Sequence, residues 1–289
     1  IIGRESFQAR SAEGIFAVLA EYQRRFAELY GEQIPDNAYR VHISDDDFAC
    51  ERQRVLDFFS HLKQTPFRLS SIQASIADLC RRQDGRLLPE PDTELLDVIT
   101  PDCFADHGLP VPPRDFVLDH RSRSWSSFLQ IGIESYAEAE LVRLGKGYGL
   151  AHVRAIAAEL DRRGLHFDGY FILSNGDTSA DDLVDVLSEV ARLKLRHPRH
   201  FHIRFPVVPR LVSYFPSASH RRRVRQGTVG QLRLRAVASV PNHPELDYPF
   251  VQQDDPRDPW VAAAVDADLF TDESLYLGKI FEFITPAAL

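Results

Sequence analysis

Acids, amides and cations recur at alternate positions of five strand-like segments, residues 39–45, 69–75, 128–135, 169–174 and 201–205. Side chains alternate faces along a strand, so each segment pairs an apolar face with a face able to do chemistry. On the first, Val41 and Ile43 oppose His42, Ser44 and Asp46; on the second, Ile72, Ala74 and Ile76 oppose Ser71, Gln73 and Ser75. On the third, Leu129, Ile131 and Ile133 oppose Gln130, Gly132 and Glu134, and on the last, Phe201, Ile203 and Phe205 oppose His202 and Arg204. Carboxylate and amide oxygens accept hydrogen bonds from an ammonium or hydroxyl, and the cations can receive a carboxylate. Such a set suits a polar ligand. Alternatively His42, Asp45, Glu134 and His202 offer N and O donors to a divalent metal.

Helical patterns separate these strands, which implies a parallel sheet covered by helices. A packed barrel lumen is ordinarily filled by Val, Ile and Leu, so a polar one implies an open barrel with its ligand near the carboxyl ends of the strands. The expected fold is α/β: a partial (β/α)6 TIM-like barrel over residues 1–212, with a small C-terminal α+β extension over 213–289. The chain opens on a helix, residues 11–30, capped by Ser11 and striped by Ile15, Leu19, Tyr22, Phe26 and Leu29. A β/α barrel starts with a strand, so that strand is expected before Ile1. Further helices are expected over 51–63, 93–99, 150–163, 180–195 and 271–284, and Gly145-Lys-Gly-Tyr-Gly149 interrupts a helical region. Residues 81–123 and 241–259 read as largely irregular surface, and 231–240 as an edge strand.

Composition excludes some function classes. Hydrophobic residues make up 44% and charged residues 26%, as in a globular domain, and the net charge of −8 argues against a general grip on nucleic acid. No apolar run is long enough to span a bilayer and no signal-peptide pattern is visible, so a cytoplasmic protein without a membrane partner is expected. Cys50, Cys80 and Cys103 follow neither disulfide nor metal spacing, and read as packing residues. The chain contains no methionine.

The stretch Ile43-Ser-Asp-Asp-Asp-Phe-Ala-Cys-Glu-Arg-Gln-Arg-Val-Leu56 resembles the second strand and helix of radical S-adenosylmethionine enzymes. That superfamily often carries an acidic Asp-Asp-x-Phe turn there, followed by an arginine-bearing helix. Gly132-Ile-Glu-Ser135 with Leu144-Gly-Lys-Gly-Tyr148 resembles its fourth strand and following helix, and the run from Gly169 to Asp182 its fifth strand and Gly-Asp-Thr turn. Phe7-Gln-Ala-Arg-Ser-Ala-Glu13 is similar to the stretch after the cluster loop. The superfamily's Cys-x-x-x-Cys-x-x-Cys motif is absent from the sequence, so the cluster ligands are expected before Ile1.

The resemblance implies an enzyme that cleaves S-adenosylmethionine on a [4Fe–4S] cluster to a 5′-deoxyadenosyl radical. The substrate would be a small molecule or peptide, and the electron donor a flavodoxin or ferredoxin. The acidic turn and Gly-Ile-Glu-Ser look most like the cobalamin-binding branch, which would add cobalamin. The same resemblance places the cofactor's amino group at Ser44, Asp45 and Asp46, with Gln73 also facing it. Glu134 and Ser135 would meet its ribose or methionine part, Lys146 and secondarily Arg143 its carboxylate, and Gln130, His202 and Arg204 would face substrate. Each has a structural counterpart: Asp47 as a helix cap, Ser135 with Glu138 as a capping box, Glu134 in an ion pair with Arg204. Two other function classes fit the same face, a metal-dependent hydrolase or lyase and a catalytically inactive barrel acting as a binding module.

Overall fold

Ile72, Leu129, Phe167 and Phe201 form one hydrophobic row, each the register partner of the next across a parallel sheet. All four are buried, and the Phe167 and Phe201 rings lie 5.2 Å apart. The structure is a computed structural model, and it describes residues 10–34, 38–43, 45, 47–105, 128–172, 177–203, 218–227, 233–237 and 250–254. In chain order the elements begin with α1 (Ala12–Tyr30), β1 (Arg40–His42), α2 (Arg52–Leu62), β2 (Arg68–Ser75), α3 (Ile76–Leu79), β3 (Cys80–Gln83), β4 (Arg86–Pro91) and α4 (Thr93–Val98). They continue with β5 (Phe128–Glu134), α5 (Glu138–Leu144), α6 (Leu150–Arg162), β6 (Phe167–Phe171), α7 (Ala180–Arg196) and β7 (Phe201–Ile203). Beyond these lie α8 (Ala218–Arg225), β8 (Arg233–Val237) and β9 (Phe250–Asp254).

The five parallel strands stand in the order β1-β2-β5-β6-β7, which is chain order apart from the β3–β4 hairpin. The α/β class with a parallel sheet is therefore as expected. Among the described residues the sheet is open, with β1 and β7 at its edges. Its apolar face is sealed by helices, and the polar face keeps the alternation set by sequence: Gln73, Gln130, Asp168 and His202 are successive register partners. Among the described residues no helix is long and apolar enough to cross a membrane.

The structure corrects several local expectations. Ser11 does cap α1, its hydroxyl accepting from Gly14 N at 3.1 Å. The buried stripe of α1, however, is Ala12, Phe16 and Leu19, while Tyr22 and Leu29 are exposed, Leu29 to 75%. Only the first turns of α1 lie on α2, where Phe16 stacks on Phe58 at 5.3 Å within an aromatic cluster that includes Phe48 and Phe59. Residues 81–123 are not all irregular, since β3 and β4 form an antiparallel hairpin. Its turn is Asp84-Gly85, both at positive φ, the two-residue geometry that matches strand twist. Within the expected loop at 241–259, β9 pairs antiparallel with β8. The helix expected over 271–284 lies outside the described residues.

Candidate functional site

The end of β5 is bulged. β5 and β6 run in register as far as Gly132 opposite Tyr170, then slip so that Glu134 partners Phe171. The slip puts Glu134 at φ +69, a left-handed conformation that costs a non-glycine residue on the order of 1 kcal/mol. The surrounding backbone is pinned: the Tyr148 hydroxyl donates to both Gly132 O and Ile133 O at 3.2 Å, and Ile172 N donates to Glu134 O at 2.8 Å. A Cβ on Gly132 would sit 3.2 Å from Glu134 Oε1, so the missing side chain leaves the carboxylate room to fold over its own strand. Bulges of this kind re-aim a strand-end side chain, here towards the polar face.

Lys146 comes to the same place through the glycine-rich break. Gly145 closes α5 in the left-handed region at φ +66, and Lys146 N donates back to Leu141 O at 3.2 Å. Lys146 Nζ then lies 2.8 Å from Glu134 Oε1, with both side chains about a third exposed. Glu134 is thus paired with Lys146; the Arg204 considered as its partner lies outside the described residues. Ser135 and Glu138 do not form the expected capping box. The Ser135 hydroxyl accepts from Ala137 N at 3.1 Å, and Glu138 reaches forward to accept from Leu150 N at 2.7 Å at the start of α6. One carboxylate thereby fastens the far side of the Lys146 loop.

Acids enter from the β1 and β2 side. Asp47 precedes the short helical turn Phe48–Cys50 but makes no side-chain capping bond. Its Oδ1 is buried without a hydrogen-bond partner among the described residues. Burial first, then the carboxylates of Asp78 and Asp45, push its pKa up to about 7. Asp78, on the single turn α3, accepts from the Ser75 hydroxyl. Asp45 turns the other way, accepting from Asp47 N at 3.3 Å and facing Arg54 Nη2 at 3.4 Å. Arg54, buried, also donates to Phe48 O at 2.7 Å and lies 4.5 Å above the Phe48 ring, so it fixes the acidic turn.

A stability prediction follows from Asp47. An unfolded aspartate ionises near pH 4. The folded group holds its proton to about 7, so its relative stabilisation is present below pH 4 and lost as pH rises through about 7. Asp47→Asn removes the titrating group, and thermal melts should show its gain over the wild type growing between about pH 5 and about pH 8. A gain that stays flat across that range refutes the raised pKa.

These groups converge on a cavity of about 320 Å³ at the carboxyl half of the sheet, lined by Asp47, Gln73, Ser75, Gln130, Glu134, Lys146 and their neighbours Ala74, Gly132 and Tyr170. Gln130 is 7% exposed and makes no hydrogen bond to another described residue, although it faces the cavity. The expected residues divide accordingly. Gln73, Gln130, Glu134 and Lys146 are brought together at the cavity; Asp45 and Ser135 are engaged nearby without lining it. Arg143 is held by Glu140 and by Asp182 at 2.7 Å. His202 stacks on His166, with 2.9 Å between His202 Nε2 and His166 Nδ1. Ser44, Asp46 and Arg204 lie outside the described residues. Two lining or supporting residues that sequence reasoning did not assign to the site are Asp78 and Tyr170.

The expected metal donors are not assembled. His42 is hydrogen-bonded to Ser71, Asp45 faces Arg54 and His202 packs on His166. Among the described residues no group of three or more His, Cys, Asp or Glu side chains could hold a metal ion. Cys50 is exposed, whereas Cys80 and Cys103 are buried. The cavity's own groups suit a zwitterion instead: an acid with a buried oxygen that has no hydrogen-bond partner among the described residues, a lysine, and the side-chain amides of Gln73 and Gln130.

No protein-family model matches the chain, and no curated protein sequence matches it. Among solved structures, the cobalamin-dependent S-adenosylmethionine radical enzyme OxsB with aqua-cobalamin bound matches over 63% of this chain at 17% identity and a TM-score of 0.42. The same enzyme with aqua-cobalamin and S-adenosylmethionine bound matches over 63% at 18% identity and a TM-score of 0.41. The chain spans 22% of the length of each of those chains.

Proposed function

We propose that the cavity binds S-adenosylmethionine and that the chain is part of a radical S-adenosylmethionine enzyme acting on a small-molecule or peptide substrate. The reading is supported by the motifs at 43–56, 132–135 and 144–148, which carry the resemblance and also build the cavity. The observation that carries it is the cavity wall itself, where Asp47, whose Oδ1 is buried with no hydrogen-bond partner among the described residues, stands with Gln130, Glu134 and Lys146. Buried polar groups are ordinarily satisfied, so an unmet carboxylate oxygen at a cavity wall points to a ligand.

In this reading the Asp47 carboxyl accepts from the ligand's ammonium, and Lys146, swinging between Glu134 and the ligand, meets its carboxylate. Glu134 takes the ribose hydroxyls, and Gln73 and Gln130 bond the remaining polar edge. Bound and reduced, such a cofactor supplies a hydrogen-abstracting radical. The five-stranded sheet is then the wall of a partial barrel over 1–212, the cofactor is cleaved on a [4Fe–4S] cluster, cobalamin is a further cofactor of the branch it resembles, and a flavodoxin or ferredoxin delivers the electron.

Calorimetric titration with S-adenosylmethionine should show one site per chain, weakened at least about tenfold by Lys146→Ala and by Gln130→Leu, a loss of roughly 1.4 kcal/mol. Wild-type protein that does not bind, or variants that bind as well as wild type, overturns the pocket assignment. Iron and sulfide assayed after anaerobic reconstitution of the gene's entire product test the enzymatic half. No cluster and no cofactor cleavage there would sink it.

A further inference from the structure

Four histidines and one aspartate gather at the amino ends of β6 and β7. Asp161, on the last turn of α6, bridges two of them: His197 Nδ1 lies 3.1 Å from its Oδ2, and His200 Nδ1 2.6 Å from its Oδ1. The other two form a pair of their own, with His166 Nδ1 2.9 Å from His202 Nε2 and the rings stacked at 5.2 Å. His166 also meets the His200 ring edge-on at 5.0 Å, so the two halves touch. The backbone of the same residues opens the ladders here. Leu129 N donates to His166 O at 3.1 Å, and Phe167 N to His200 O at 2.9 Å.

The two halves answer acid differently. A proton added to His197 or His200 meets the Asp161 carboxylate. Burial works against that carboxylate, but the bonds from His200 and His197 hold its pKa below the usual range, so it stays ionised. The His166–His202 bond, in contrast, exists only while one of the two facing nitrogens is bare. With both rings protonated, two N–H groups and two positive charges would meet across 2.9 Å. His202 has an acid next to it, its register partner Asp168, buried on the same polar face. His166 feels cations instead: burial first, then His200 and Lys194, lower its pKa below the usual imidazole value. Lys194 reaches in from α7, donating to Phe201 O at 2.6 Å and to Pro198 O at 3.0 Å. Burial brings its pKa down to about 8, so it is charged at neutral pH and below.

We propose that the His166–His202 bond is an acid-released latch on β7, the edge strand among the described residues: it ties β7 to the start of β6 at neutral pH, and protonation of both rings parts them and loosens the β6–β7 ladder. The protons come from solvent, N–H bonds form on the bare ring nitrogens, and the hydrogen bond between Nδ1 and Nε2 is lost. That ladder has three register pairs, from Phe167–Phe201 to Gly169–Ile203, and the latch sits at its head. The Asp161 half stays joined in acid, which keeps the release local. An unfolded histidine protonates near pH 6.5, and folded His166 only below that. The latch therefore contributes stability that is complete above about pH 6.5 and lost as pH falls below it. None of this depends on what the cavity binds.

The test is amide hydrogen exchange read by NMR at about pH 7.5 and about pH 5, as protection factors corrected for the intrinsic pH dependence, with the histidine ring signals titrated alongside. Protection at Phe167 and along the β6–β7 ladder should fall at least about tenfold at the lower pH, while the β2–β5 ladder keeps its own. His166→Asn puts a non-titrating amide where Nδ1 stands and should hold protection nearly level across the range. Because that variant could fail to fold, the wild-type rings give a second readout: His166 should turn to imidazolium over the same interval in which the Phe167 amide loses protection. Unchanged protection, an equal loss over the whole sheet, or a loss that persists in folded His166→Asn overturns the latch.

Discussion

Gly169→Ala should destabilise the protein by about 3 kcal/mol, measured as a lowered denaturant midpoint, because it adds a methyl where no space exists. Gly169 lies in β6 between Ile131 and Ile203 in the register. A Cβ there would press on the Tyr136 hydroxyl oxygen, lie 2.8 Å from Ile133 Cδ1 and 3.0 Å from Phe201 Cε2. Those neighbours are fully buried and hold the helix-covered face together, with the Tyr136 ring packed edge-on against Phe171 at 5.1 Å. The Tyr136 hydroxyl has no hydrogen-bond partner among the described residues, and burial holds its pKa well above the usual phenol value. Tyr136→Phe should therefore stabilise the wild type by about 1 kcal/mol, since it removes a desolvated group that bonds to nothing. In the Gly169→Ala background it should recover more than that, giving a coupling energy of at least about 0.5 kcal/mol in a double-mutant cycle. Additive effects would show that the two residues do not share the space assigned to them.

The parallel sheet and its two-faced strands were legible because period-2 alternation survives in every central segment: Leu129, Ile131 and Ile133 against Gln130, Gly132 and Glu134 is read directly from sequence. The glycine-rich break was legible too, for Gly145 and Gly147 both adopt positive φ where the helix stops. The β3–β4 hairpin carried a usable signal in Asp84-Gly85 that the surrounding Pro and Asp content obscured. Asp78 was not legible. It follows the apolar Ile76 in what reads as the continuation of a strand, and only folding brings β1 and β2 side by side so that it meets Asp47. The bulge at Glu134 left no mark either, since a non-glycine residue at positive φ is imposed by its tertiary partners, Tyr148 above all. On α1, an apolar stripe predicted burial that the partner helix is too short to provide, which is why Leu29 stands exposed.

Glu134→Gln separates function from fold at the bulge. Glu134 sits on an exposed-to-half-buried ion pair with Lys146 at 2.8 Å, with both side chains about a third accessible to solvent. Pairs in that setting contribute at most about 1 kcal/mol, so the isosteric change should leave the melting temperature nearly where it was. A buried pair would behave otherwise, costing roughly 3–5 kcal/mol when one partner is lost. Ligand affinity should respond far more. Losing charge-assisted bonds to hydroxyls costs roughly 1.5–3 kcal/mol, about a ten- to 150-fold rise in the dissociation constant for S-adenosylmethionine. Glu134→Gly sharpens the contrast, because glycine accepts φ +69 without strain while deleting the carboxylate. That variant should lose no stability and yet bind as poorly as Glu134→Gln. A strained conformation that is retained at the expense of stability is the mark of a residue held for its chemistry. Unchanged affinity in both variants, with a large fall in melting temperature, would instead make Glu134 a structural clamp for the Lys146 loop.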